Sequence, residues 1–148
     1  MGESTVEILL IEDNDADIDL FQEALRSYRV PCHLSVLRDG NEALAFLRRQ
    51  GPYATAPRPA LIVLDLHVPG ISGDEAIKAF RSLPDLQHIP LVIFSAVAEE
   101  EGKQRSVQLG AKAFVHKPLD LETFFATVHT MVRHWGEPAG SGEREGAQ

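Results

Sequence analysis

Two patterns of apolar residues alternate along the chain. Short runs of mostly apolar residues, typical of buried strands, recur five times. We predict strands at positions 6–11, 33–37, 60–66, 89–96 and 113–116. The intervals between them carry apolar residues three or four positions apart, which is the spacing of one helix face. The first interval has this spacing at Ile18, Phe21, Leu25 and Tyr28.

Signals for helix starts and ends lie in the same intervals. Ser72 and Glu75 form a capping box at the start of one helix, and Asp120 precedes the last helix. Gly110 ends a weakly apolar helix. Five strands and five helices in strict alternation require crossover connections, which favour parallel strands with helices on both faces of the sheet. The pattern therefore predicts an open, doubly wound α/β fold.

Composition and charge restrict the class of protein. The 148 residues suit a single domain, which we expect at residues 6–135, followed by a disordered tail at residues 136–148 that has no large apolar side chain. The net charge of -8 argues against direct binding of nucleic acid. The chain has neither a long apolar run nor a secretory leader, so we expect a cytoplasmic protein without membrane contact. The single cysteine, Cys32, excludes an internal disulfide.

Four carboxylates, Glu12, Asp13, Asp15 and Asp17, crowd the end of the first predicted strand. Like charges at this spacing repel each other, so either water or a cation must offset the repulsion. Taken alone, this stretch leaves both interpretations open, a solvated turn and half of a cation site.

Polar residues at the other strand ends favour the cation site. Asp65 follows the third strand, Ser95 the fourth and Lys117 the fifth. In a parallel sheet these residues emerge at the same edge as Glu12 and Asp13, and ligands bind at that edge. Carboxylate oxygens are ligands suited to Mg²⁺, while a lysine and a serine can hold the oxygens of a phosphoryl group. We therefore predict a divalent-cation site that handles phosphate.

Four short segments of the sequence resemble those of a known family. The segments IEDN, LIVLDLHVPGISG, IFSA and FVHKP, each at a predicted strand end, are similar to the receiver domains of two-component response regulators, the CheY-like domains. The resemblance covers about residues 6–135. It implies a flavodoxin-like (βα)5 fold with strand order 2-1-3-4-5, and a signalling domain whose only catalysis is its own phosphorylation and dephosphorylation.

The resemblance also implies which residues act. Asp65 corresponds to the phosphoacceptor that takes a phosphoryl group from a sensor histidine kinase. Glu12 and Asp13 correspond to the acidic pair that binds Mg²⁺, or Mn²⁺ or Ca²⁺ in its place. Asp65 and the backbone carbonyl of His67 would complete the protein ligands.

Four further residues follow from the same resemblance. Ser95 and Lys117 match the hydroxyl and ammonium groups that contact phosphoryl oxygens. Phe114 occupies the position of the switch aromatic, and Pro118 suggests a cis peptide bond that aims Lys117. The helix between Ser95 and Gly110 has few apolar anchors, so we expect it to move in signalling.

Two alternatives remain from other classes of protein. A receiver-like binding module that is not phosphorylated would lack a carboxylate, the hydroxyl or the lysine, and none is missing here. A phosphatase with an aspartyl nucleophile would need a second aspartate where this chain has His67. A nucleotide-binding enzyme is disfavoured because no glycine-rich loop follows the first strand.

The segments outside these motifs indicate a subfamily and a partner. The proline-bearing loop before Asp65 and the ending His134-Trp135 resemble the small response regulators that partner bacterial phytochromes. We expect no output domain after Trp135, and we expect the signal to pass by protein contact or phosphorelay. The last helix is long for one sheet, and we expect Trp135 to overhang the core. An exposed tryptophan favours an interface, so we predict a homodimer through this helix and the adjacent surface.

Overall fold

The computed structural model describes residues 5–96 and 100–138 as a doubly wound α/β domain. Five parallel strands form one sheet in the order β2-β1-β3-β4-β5, which is the predicted flavodoxin-like order. The strands are β1 Val6–Ile11, β2 Cys32–Leu37, β3 Leu61–Leu64, β4 Leu91–Ser95 and β5 Ala113–His116. Each lies within one residue of the predicted position or inside it.

Five α-helices alternate with the strands. They are α1 Asp15–Arg26, α2 Gly40–Arg48, α3 Gly73–Arg81, α4 Glu100–Leu109 and α5 Leu121–Met131. Side-chain oxygens of Asn14, Asp39, Ser72 and Asp120 accept hydrogen bonds from the first turns of α1, α2, α3 and α5. Within the described part of the chain, no helix has both the length and the apolar content that a membrane span requires.

Each face of the sheet carries its own apolar layer. Leu9 and Ile11 of β1 face α2 and α3, while Ile8 and Leu10 face α1 and α5. Successive side chains of a strand point to opposite faces, so a strand covered on both faces is apolar at every position. This arrangement explains the continuous apolar runs and holds the carboxyl ends of β1, β3 and β4 in fixed positions.

Helix α4 is attached less firmly than the other helices. Ser106 is its one fully buried residue, and the Ser106 hydroxyl donates to the carbonyl of Gly102 in the same helix, at 2.9 Å. Leu109 is partly buried against the core. A helix that buries so little apolar surface can shift at low cost, as the sequence suggested.

The C-terminal end of the domain differs from the prediction at Trp135. Leu121, the first residue of α5, is 56% exposed. Trp135, predicted to overhang the core, is partly buried against it. After α5 the chain continues as a π-helical turn, Val132–Gly136, and this turn brings the indole back to the domain.

The folded part extends beyond the boundary predicted at Trp135. Gly136 is buried, and a Cβ there would lie 3.3 Å from Val6 Cγ1 at the start of β1. The carboxylate of Glu137, 6% exposed, pairs with Arg29 and accepts a hydrogen bond from the hydroxyl of Tyr28. Residues 139–148 of the predicted tail lie outside the described residues.

Two glycines that both lie in helices provide a test of the packing. Gly73 begins α3, and a Cβ there would lie 3.3 Å from the Cα of Leu66, next to Asp65, with the Leu66 side chain closer still. We expect Gly73→Ala to lower the free energy of unfolding by about 1–3 kcal/mol, because Leu66 would have to move. Urea denaturation measures this change.

The matched control is Gly102→Ala in α4, where a Cβ would meet nothing within 4 Å. There alanine removes the entropic penalty of glycine, and we expect a gain of about 0.5–1 kcal/mol in unfolding free energy. Equal effects of the two substitutions would contradict the close packing of Leu66 on α3.

Candidate functional site

The carboxyl edge of the sheet gathers buried polar side chains from the ends of four strands. Glu12 follows β1, Asp65 follows β3, Ser95 ends β4 and Lys117 follows β5. All four are buried, with exposures of 9% or less, although charged residues are rarely buried without partners. Backbone hydrogen bonds fix these ends, since the Asp65 amide donates to Ile11 and the Lys117 amide donates to Ser95.

The ammonium group of Lys117 is the centre of this cluster. Its Nζ donates to Glu12 Oε1, Asp17 Oδ2 and Asp65 Oδ2, each at 2.7 Å. These three bonds use all three donors of the ammonium. The three carboxylates raise the pKa of Lys117, although burial on its own would lower it. The lysine is therefore charged and neutralises part of the acidic cluster.

Asp65 has a defined hydrogen-bond environment. Its Oδ1 accepts from the backbone N–H of His67 at 2.9 Å and from the hydroxyl of Ser95 at 3.2 Å. Its Oδ2 accepts from Lys117. Burial alone would raise the pKa of Asp65, but the bonds from Lys117 and His67 outweigh burial and hold that pKa below its ordinary value. The Asp65 carboxylate is thus ionised, as a nucleophile requires.

The pKa of Glu12 is raised, whereas that of Asp65 is lowered. Burial raises the pKa of Glu12, and the neighbouring charge of Asp65 adds to the increase. The hydrogen bonds from Lys117 and from the Asn14 backbone N–H, the latter at 3.1 Å, oppose this shift only in part. The three carboxylates of the site therefore carry more negative charge than the single ammonium group of Lys117 neutralises.

Three predicted site residues are arranged differently from the buried four. Asp13 is exposed, and its backbone carbonyl accepts from Arg38 at 3.3 Å. The His67 side chain is exposed and Phe114 is partly buried. Among the described residues, no three His, Cys, Asp or Glu side chains surround a common point that could hold a metal ion.

The donor set nevertheless suits a divalent cation. Glu12 and Asp65 present oxygens within 2.7 Å of a single cationic group, Lys117 Nζ, and Asp13 adjoins Glu12 in the same loop. These are the hard oxygen ligands that Mg²⁺ and similar ions take. Among the described residues the predicted ligands are not assembled around one point, and the ammonium of Lys117 bonds both Glu12 and Asp65.

The peptide bond between Lys117 and Pro118 is trans, since no cis peptide bond occurs among the described residues. The cis bond suggested by the sequence is therefore wrong for this structure. The three hydrogen bonds of the ammonium group orient Lys117 instead.

Asp17 is the site residue that the sequence analysis did not assign. It lies in the first turn of α1, and its side chain is partly buried against Lys117. A signal was present in the sequence, because Asp17 is one of the four crowded carboxylates. Its contact with Lys117 depends on the direction in which α1 leaves β1, and the residue pattern does not specify that direction.

Phe114 lies on β5 beside helix α4. The Lys103 ammonium lies 5.8 Å from the centroid of the Phe114 ring, within the range of a cation–π interaction. Glu100 lies 3.7 Å from the same ammonium group. The aromatic ring therefore contacts the helix that is attached least firmly to the core.

Known proteins share this sequence pattern and fold. The family described as the response regulator receiver domain matches residues 8–129. The response regulator Rcp1 of Synechocystis sp. is 38% identical over 130 residues, which are 88% of this chain and 88% of Rcp1.

Two solved structures add to this similarity. The phosphorylated cyanobacterial phytochrome response regulator RcpA superposes with a TM-score of 0.85 and 39% identity, over 89% of this chain and 94% of RcpA. The Mn²⁺-bound form of Rcp1 superposes with a TM-score of 0.82 and 37% identity, over 89% of this chain and 95% of that structure.

The buried lysine provides a test of the electrostatic balance. Lys117→Met keeps an unbranched side chain that is one atom shorter, but it leaves three carboxylates without their shared cation. We expect the free energy of unfolding at neutral pH to fall by about 3 kcal/mol, because unpaired buried charges are costly. Urea denaturation without added divalent ions measures the change.

Lys112→Met is the matched control, since Lys112 is exposed and its ammonium makes no ion pair among the described residues. We expect that change to stay within about 0.5 kcal/mol. Adding Glu12→Gln to Lys117→Met should restore part of the lost stability. A Lys117→Met protein as stable as the unaltered one would contradict the proposed balance.

Proposed function

This chain belongs to the response regulator receiver domain family, and on that premise we propose that Asp65 is its phosphoacceptor. The observation that carries the proposal is the environment of Asp65, an ionised carboxylate bonded to Lys117, Ser95 and the backbone of His67. An ionised carboxylate beside a fixed ammonium group is a nucleophile placed where the charge of an incoming phosphoryl group is neutralised. The function is reception of a signal in a two-component phosphorelay.

The proposed reaction is transfer of a phosphoryl group from a phosphohistidine. An Asp65 oxygen attacks phosphorus, the P–N bond to the imidazole breaks, and its electron pair stays on the imidazole nitrogen. Lys117 neutralises negative charge on the transferred oxygens, and the Ser95 hydroxyl turns from Asp65 Oδ1 to one of them. Because such transfer depends mainly on positioning and charge, the chain needs no further covalent chemistry.

A bound divalent cation belongs to the proposal, and Mg²⁺ is the ion we expect. Glu12 and Asp65 would hold it, with Asp13 and the backbone carbonyl of His67 as further ligands. The ion supplies neutralisation of charge on the phosphoryl oxygens. Mn²⁺, present in the Rcp1 structure, and Ca²⁺ offer similar oxygen-binding chemistry.

Phosphorylation is proposed to change a protein-binding surface. The phosphoryl group adds nearly two negative charges beside Ser95. A shift of Ser95 opens space into which Phe114 can turn, and α4, weakly anchored, can follow. The output would then be a contact with another protein.

The proposed donor is a phytochrome-type histidine kinase in the cytoplasm. The support is similarity to RcpA, a phytochrome response regulator, at 39% identity over nearly the whole of both chains. The aspartyl-phosphatase alternative remains disfavoured, because His67 stands where such an enzyme needs an aspartate.

We also propose that two copies associate through α5 and the adjacent surface. The three large apolar side chains that are most exposed in the described part of the chain are Val107, Leu119 and Leu121, at 48%, 103% and 56%. Leu121 begins α5 and Leu119 lies two residues before it, so burial of the two side chains would favour association. Trp135, being partly buried, contributes less to this surface than the sequence indicated.

Intact-protein mass spectrometry tests the phosphoacceptor. After incubation with Mg²⁺ and acetyl phosphate, we expect the unaltered protein to gain one phosphoryl group, and Asp65→Asn or chelation of the metal to abolish the gain. A phosphoryl group on both proteins would mean that Asp65 is not the acceptor. Absence of the gain in the unaltered protein would support the non-phosphorylated binding module.

The same pair of proteins then tests the proposed donor. A phosphorylated phytochrome-type kinase should transfer its phosphoryl group at least about tenfold faster than an unrelated kinase, a difference of about 1.4 kcal/mol in activation free energy. Equal rates would overturn the phytochrome partnership but leave Asp65 as the acceptor.

Light scattering at high micromolar concentration tests association. We expect a mass near twice that of one chain, and a return to the monomer mass for the double change Leu119→Glu and Leu121→Glu, since charge at a buried interface is costly. Thr55→Glu, in the exposed loop before β3, is the control and should leave the dimer intact. A monomer mass for the unaltered protein would contradict the proposed association.

A further inference from the structure

Asp17 has no role in the phosphoryl chemistry proposed above, yet it contacts the centre of the site. Its Oδ2 lies 2.7 Å from Lys117 Nζ, the same distance as the oxygens of Glu12 and Asp65. Its backbone N–H donates to the Asn14 side chain at 2.9 Å, which fixes the turn that carries it. The carboxylate is therefore held against the ammonium group by a capped helix.

An alternative explanation for the position of the Asp17 carboxylate is attraction to the amino end of α1, since acidic residues are favoured in a first helical turn. Asp15 is an example of an acidic residue in that role. It lies in the same turn, is exposed and pairs with Arg38 at the surface. The Asp17 side chain is instead 28% exposed and bonded to a lysine that is 6% exposed. The helix-end effect does not require this contact.

The three partners of Lys117 have different roles in the proposed reaction. Asp65 is the proposed phosphoacceptor and Glu12 a proposed ligand of the cation, so both carboxylates exchange their bonds to Lys117 for other partners. Asp17 follows neither β1 nor β3 directly and is needed for neither task. Its bond to Lys117 is the one that can persist throughout the reaction.

We propose that Asp17 is a positioning residue that keeps the Lys117 ammonium at the site when Glu12 and Asp65 are engaged by the cation and the phosphoryl group. This inference rests on the proposed function. Without Asp17, the long lysine side chain loses its one constant partner and samples other rotamers. A misplaced neutralising charge slows the transfer, because transfer depends on preorganised groups.

The test compares Asp17→Asn with Asp19→Asn. Asp19 lies two residues further along α1 and is exposed, and its side chain makes no ion pair or hydrogen bond within the described part of the chain, so its substitution removes one charge from the same helix. At saturating Mg²⁺, we expect Asp17→Asn to slow phosphorylation by acetyl phosphate at least tenfold. We expect Asp19→Asn to stay within twofold of the unaltered protein.

A second measurement observes Lys117 without any phosphoryl donor. In ¹H–¹⁵N spectra of the Mg²⁺-bound protein, the ammonium protons of Lys117, assigned by their loss in Lys117→Met, should be protected from exchange with water. Asp17→Asn should abolish that signal and Asp19→Asn should preserve it. A merely structural role for Asp17 would leave the signal in place.

The outcomes separate this inference from the proposed function. Phosphorylation of Asp17→Asn at the unaltered rate or faster, or a Lys117 signal that survives in this variant, would overturn the positioning role. Failure of the unaltered protein to become phosphorylated would count against the proposed function instead, and the spectrum would still decide whether Asp17 holds Lys117.

Discussion

The carboxyl edge of this domain depends on one buried ammonium group shared by three carboxylates. Glu12, Asp17 and Asp65 come from two strand ends and a helix, and Lys117 comes from a third strand end. Their mutual repulsion would separate these segments if the lysine did not bond all of them. Neutralisation of the three carboxylates therefore depends on the tertiary structure, because they and the lysine lie on four different segments of the chain.

The rest of the fold supplies rigid positions for those charges. Strands β1, β3 and β4 are buried on both faces, so the residues that follow or end them cannot move without disturbing two apolar layers. Helix α4, by contrast, buries little and contacts Phe114 through Lys103. The domain therefore combines a fixed site with one adjacent element that can move, and a phosphorylation-driven switch requires both.

The sequence predicted the fold and most of the side chains that meet at the carboxyl edge, for physical reasons that can be named, while the roles of those side chains stay predictions. Short apolar runs rich in β-branched residues indicate strands covered on both faces, and the positions of Asp65 and Ser95 follow from where those runs stop. The contact of Asp17 and the exposure of Asp13 were not predictable, because both depend on how the loop after β1 and the first turn of α1 are oriented. The partly buried Trp135 depends on a π-helical turn, for which the apolar spacing carries no signal.

The close approach of Gly136 to Val6 has a consequence for the connectivity of the chain. A Cβ on Gly136 would lie 3.3 Å from the Val6 side chain, so the π-helical turn ends beside the amino end of β1, at the sheet edge opposite the buried polar cluster. When the first strand and the last turn of a domain meet in space, a short linker can join them while a new opening is made in a surface loop. We therefore expect a circular permutant that joins the residues beside Val6 and Gly136 and begins in the loop before β3 to keep the same carboxyl edge.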